Sequence, residues 1–187
     1  MLSSTRISRV ALCLLAVAGV TSCDASRPVD PAVDHASLHA TSLEPAAIRL
    51  ESSLAQAVKG ATARFNSLVQ AEKAGYLPAS PCISSPAGGM GYHYVNELIV
   101  DPVFDPLNPE ALVYAPDENG KLRLVAVEYI VIDAGQDTPM FENRAFDEGG
   151  TPVPAPHWSL HVWAFKTNPA GLFAPFNPTV VCPTSEI

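Results

Sequence analysis

Between Leu43 and Ala74 apolar residues recur at steps of three and four: Leu50, Leu54, Val58, Ala61, Phe65 and Leu68 fall on one stripe. That is the period of an amphipathic helix covering another layer. Pro45 stands near its start, where a missing N–H costs nothing, Gly75 supplies a stop, and Gly60 is a candidate point of division. Beyond Tyr76 the pattern changes to short β-rich runs punctuated by Pro and Gly. Strands are predicted at 92–100, 111–114, 121–133, 157–165 and 179–182. Asn119-Gly120 joins the second and third of these and suits a tight hairpin turn. All connections are too short for a crossover helix, so the sheet should be mainly antiparallel. The predicted fold class is α+β: an N-terminal helical segment packed on an antiparallel sheet that has the potential to close as a barrel.

The stretch HWSLHVW, residues 157–163, holds two of the five histidines in the chain. Three prolines at 152, 154 and 156 and a β-leaning composition favour a strand, on which His157, Ser159, His161 and Trp163 share one face. Four residues at a rise of about 3.3 Å separate the two imidazoles by about 13 Å, too far for one ion. Unless the strand bulges, at most one of them can meet His93, the histidine that follows the Gly88–Gly91 turn. Glu128 is the only acid in the apolar run LVAVEYIVI and must face solvent, take a partner or bind an ion. His93, Glu128 and one of His157 and His161 would form a set that divalent transition metals accept, with Tyr94 lining the pocket. The set resembles the ligand chemistry of cupin barrels but lacks their close His-x-His motif. The alternative is that these side chains bond to neighbouring backbone and hydroxyl groups.

The chain ends add localisation. Arg6 and Arg9 precede an uncharged apolar run, Val10 to Val20, too short to span a bilayer permanently. The following Val20-Thr21-Ser22-Cys23 resembles the lipobox of bacterial lipoproteins, which implies a lipidated Cys23 anchored to the membrane; an ordinary secretory leader cut near Ser22, or a plain membrane anchor, is the alternative. Asp24 after the lipidated cysteine resembles an inner-membrane retention signal. The expected organisation is a leader at 1–22, lipidated Cys23 and a flexible tether to residue 42, and one domain from 43 to 187. His35 and His39 in the tether read as solvated surface. Export leaves Cys82 and Cys182 for one disulfide, the alternative being two buried thiols.

A net charge of −8 argues against nucleic acid as a partner. Gly88-Gly89-Met90-Gly91 lacks the lysine of a phosphate loop and precedes a strand, so its glycines read as devices for positive φ or close backbone approach. Asp101, Asp105 and Glu110 read as a surface loop without the spacing of an EF-hand. No G-x-S-x-G is present. The strings AEKAGYLPASPC, ISSPAGGMGYHYVN, ALVYAPDENGKLRLVAVEYIV and LHVWAFKTNPAGLFAPFNPTVVC resemble a family of uncharacterised secreted or lipid-anchored bacterial proteins across residues 70–182. That resemblance implies one exported domain and no particular activity. The expected function is a lipid-anchored extracytoplasmic domain that binds a small ligand or a divalent transition metal through His93, Tyr94, Glu128, His157 and His161. The competing readings are a non-catalytic envelope protein acting through protein contacts and a metal-dependent enzyme.

Overall fold

The computed structural model describes residues 53–183; the expected leader, the expected lipidation site Cys23, the expected tether and the predicted start of the helix lie outside the described residues. Residues 53–62 are helical (α1), followed by a 3-10 turn at Ala63–Asn66 and a second helix α2, Leu68–Lys73. The division predicted at Gly60 therefore falls a few residues later. Ser67 adopts an extended conformation, whereas Gly60 lies on the exposed side and stays within α1. The buried apolar residues of this segment, Val58, Phe65 and Ala71, are on the predicted stripe or in register with it. Gly75, at φ +98°, ends α2 as expected, and the Tyr76 amide reaches back to the Ala71 carbonyl at 3.1 Å.

The strands are β1 Leu77–Pro78, β2 Ile83–Ser85, β3 Gly88–Val95, β4 Ala111–Pro116, β5 Leu122–Ile132, β6 Met140–Phe141, β7 Arg144–Ala145, β8 Asp147–Glu148 and β9 His157–Val162. The main sheet has the order β1-β3-β4-β5-β9-β8, with β2 on β3, and every pairing is antiparallel. It is open: β1 and β8 are its edges, so the barrel considered from sequence does not form among the described residues. The hairpin at Asn119-Gly120 forms as predicted. Asp117 accepts the amides of Asn119 and Lys121, and Gly120 takes φ +75°.

Several strand boundaries differ from the predicted ones; β4 runs on to Pro116 and β9 stops at Val162, three residues short. β3 begins four residues early, inside the glycine run. A Cβ on Gly91 would sit 2.4 Å from the Tyr114 carbonyl oxygen, so glycine is required where β3 crowds β4. β3 then stops at Val95, because the Asn96 side chain caps a 3-10 turn at Glu97–Ile99. Residues 179–182 form no strand: Asn177 bridges Gly89, and the amide and hydroxyl of Thr179 donate to the Asn177 side chain in a local turn.

A bulge in the β4–β5 pairing leaves Val125 extra between Leu124 and Ala126 and resets the alternation of β5. Leu124, Val127, Tyr129 and Val131 face the helices with Leu112, Tyr114, Leu160 and Val162. The opposite face carries Ala126, Glu128 and Ile130, and is covered by loops that contribute Val100, Val153 and Val180. Cys82 and Cys182 form a disulfide with Cα atoms 5.6 Å apart, tying the C-terminal segment to the chain just before β2. Such a bond fits an oxidising, extracytoplasmic environment. Among the described residues no helix is long and apolar enough to cross a membrane.

Candidate metal centre

The loop-covered face gathers three ionisable side chains from three strands. Glu128 on β5 pairs with Ala111 on β4 and with His161 on β9, so these three residues form one row across the sheet. His93 on β3 pairs with Val113, two residues off that row and on the same face. Ala111 offers only a methyl group above β4, which leaves room for His93 and Glu128 to approach each other over it. His93 Nε2 lies 3.4 Å from Glu128 Oε2, and His161 Nδ1 lies 3.8 Å from Glu128 Oε1. The two imidazole rings meet edge to face at 5.8 Å.

All three groups are removed from water, with exposures of 0% for His93 and Glu128 and 4% for His161. Burial pushes His93 down to about 4 and, with a smaller push from the neighbouring His93, holds His161 at about 3. Burial, reinforced by Glu110, raises Glu128 well above the ordinary carboxyl value. The contacts thus join neutral groups and are not ion pairs, because desolvation outweighs their attraction. Nor are they good hydrogen bonds. His93 Nε2, both Glu128 oxygens and His161 Nε2 are buried and lack a hydrogen-bond partner. Orphaned buried polar atoms each cost about 1 to 3 kcal/mol. Four in one cluster mark a place where something else supplies the bonds.

The donor set fits a divalent transition metal. One donor from each of His93, Glu128 and His161 lies within 4.8 Å of the others. Bond lengths of about 2.0 to 2.2 Å hold two donors of one ion within about 4.4 Å, so closure by a few tenths of an ångström would suffice. Two imidazoles and a carboxylate are ligands that zinc, iron and related ions accept, and three protein donors leave coordination positions for another ligand.

Other residues singled out from sequence fall elsewhere. His157 shares the face of His161 as predicted, but pairs with Ile132 at the far end of β9 and directs Nδ1 to the Ala155 carbonyl at 2.7 Å. Tyr94 does not line the cluster. Strand alternation turns it from His93 to the helix-covered face, where it packs edge to face on Tyr114 at 5.0 Å. Glu110 is no surface residue: it is 2% exposed and its carboxylate accepts the Ile130 amide at 2.9 Å. Burial is the main reason its carboxyl is raised to about 7. Ser80, given no role from sequence, touches His93 through Oγ at 2.9 Å from Nδ1 and 3.1 Å from the backbone nitrogen. Its only signal was adjacency to Cys82 in ASPC.

What these features define is an open antiparallel sheet with helices on one face and a buried two-histidine, one-carboxylate cluster on the other. No protein-family model, curated protein or solved structure matches the chain. The site's reading therefore rests on its own geometry.

Proposed function

We propose that the chain is an exported bacterial envelope domain, anchored to the membrane through lipidated Cys23, that binds one divalent transition metal through His93, Glu128 and His161. The observation that carries the metal reading is the cluster of four orphaned, fully buried donor atoms on three strands. A cation there would take the Glu128 carboxylate, His93 Nε2 and one ring nitrogen of His161 together, and its charge would offset the cost of ionising Glu128. The competing arrangement, side chains bonded to neighbouring backbone and hydroxyl groups, accounts for Nδ1 of His157 and of His93 but not for the Glu128 oxygens or the Nε2 atoms of His93 and His161.

With three protein donors the ion would keep open positions, which favours a role in binding or transforming a small molecule over a purely structural one. The resemblance of residues 70–182 to secreted and lipid-anchored bacterial proteins supports export, as does the Cys82–Cys182 disulfide. Metal analysis of the purified chain after mild dialysis, with thermal unfolding in the presence of Fe, Mn, Zn, Cu and Ni, tests the proposal. A stoichiometric ion or a metal-dependent rise in Tm is expected. Neither, for any of the five ions, would sink it.

A further inference from the structure

The geometry assigns to Ser80 a positioning role: it fixes the ring tautomer of His93 so that an unprotonated Nε2 faces Glu128 and His161. Ser80 Oγ stands at the centre of three contacts. It receives the His93 backbone N–H at 3.1 Å, lies 2.8 Å from the Pro81 carbonyl oxygen and is 2.9 Å from His93 Nδ1. A serine hydroxyl has one proton to give and two lone pairs to receive. A carbonyl can only accept and an amide N–H can only donate. The proton therefore goes to Pro81, one lone pair takes the backbone N–H, and the remaining lone pair takes a proton from Nδ1. All three contacts are satisfied together only if His93 carries its proton on Nδ1.

The opposite tautomer fails on both sides of the ring. It would compel the Ser80 proton to leave Pro81, and it would point an Nε2–H into a buried space where Glu128, 3.4 Å away, is misaligned as an acceptor. A buried N–H without an acceptor is costly, whereas a lone pair at that position is what a cation requires. The same arrangement excludes Ser80 as a nucleophile activated by His93, since the ring donates to Oγ and takes no proton from it. The clamp is built into the backbone: the Ala79 amide bonds the His93 carbonyl at 2.8 Å, and Cys82, two residues beyond Ser80, is held by the disulfide to Cys182.

The effect on affinity rests on the metal-binding reading above; the tautomer is a property of the metal-free protein. Nitrogen-15 NMR of the histidines in the metal-free chain, paired with Zn(II) titration, separates the two. Wild type should show His93 protonated on Nδ1. Ser80→Ala should lose that preference, keep the disulfide, and bind Zn(II) about 10- to 100-fold more weakly, the usual cost of removing a partner that orients a ligand. Ser80→Thr, which retains the hydroxyl, should restore both. His93 protonated on Nε2 in wild type, or an unchanged tautomer and affinity in Ser80→Ala, would overturn the assignment. A wild-type chain that binds no Zn(II) counts against the metal reading, and the tautomer then decides the role of Ser80 alone.

Discussion

The two faces of the sheet are built from the same strands and differ in how the tyrosine hydroxyls of one and the Glu128 carboxyl of the other are partnered. On the helix-covered face three buried tyrosines each find a backbone carbonyl: Tyr76 bonds Pro109 at 2.8 Å, Tyr114 bonds Phe65 at 2.6 Å and Tyr129 bonds Pro106 at 2.8 Å. These hydroxyls staple loops and the 3-10 turn onto the core. On the loop-covered face, one residue along the same β5 strand from Tyr129, both Glu128 oxygens and Nε2 of His93 and of His161 are buried and left without a hydrogen-bond partner. A polar group that stabilises a fold comes with its partner supplied by the chain. A group buried without one is either a liability or a ligand, and the convergence of three from three strands favours the ligand.

That contrast breaks most visibly in the core. Leu160→Ala, on the helix-covered face of β9, should cost about 2 to 5 kcal/mol in denaturant unfolding, through lost burial and the cavity left behind. Its neighbour in sequence is His161, yet metal affinity should change far less than stability. A loss under about 1 kcal/mol would mean that this face is not the main core. Tyr114→Phe keeps the ring and removes one bond, leaving the Phe65 carbonyl without its donor; about 1 to 2 kcal/mol is expected, with metal binding unchanged. No loss would show that the tyrosine bonds are not structural staples.

The smallest effect is pH dependence without metal. His93 and His161 have native values near 4 and 3 against an ordinary 6.5, so the unfolded chain binds more protons and stability falls as pH drops from 6.5 towards 4. Glu128 acts oppositely: raised above 4.5, it holds a proton in the native state that the unfolded chain releases, and stability falls as pH rises. Glu110, raised to about 7, adds to that alkaline loss. Together these groups place a stability maximum between about pH 5 and 6.5. Bound metal should remove the part of the alkaline loss that belongs to Glu128, because a coordinated carboxylate is already ionised. Thermal unfolding across pH 4 to 8, with and without Zn(II), reads both slopes, and identical profiles would contradict the coupling.

Much of this was legible in the sequence where one period or one turn decided the outcome. The stripe Val58, Phe65, Leu68 and the Asn119-Gly120 hairpin follow from local rules. The faces of HWSLHVW followed from strand alternation, and the 13 Å separation correctly limited His93 to one partner on that strand. Glu128 stood out because an acid in an apolar run needs a reason. What stayed hidden depends on contacts distant in sequence. The glycines of β3 look like a loop until β4 and the Asn177 segment press against them. Glu110 reads as a surface acid because nothing local shows that its carboxylate will meet the Ile130 amide. The choice of His161 over His157 depends on the register of β9 on β5, which sets His161 opposite Glu128 and which composition does not reveal. Tyr94 was placed with its neighbour His93 against the alternation that separates them.

The contrast is tested most directly by titrating Co(II) into the metal-free chain and into Glu128→Gln, following the visible absorption of the bound ion. Gln keeps the size of the side chain, and burial pushes the Glu128 carboxyl towards its neutral form, so the variant should fold with stability within about 1 kcal/mol of wild type. Wild type should bind one Co(II) per chain with nitrogen and oxygen ligation, and the variant should lose that signal. No absorbing complex in wild type, or equal binding by the folded variant, would contradict a metal held by His93, Glu128 and His161.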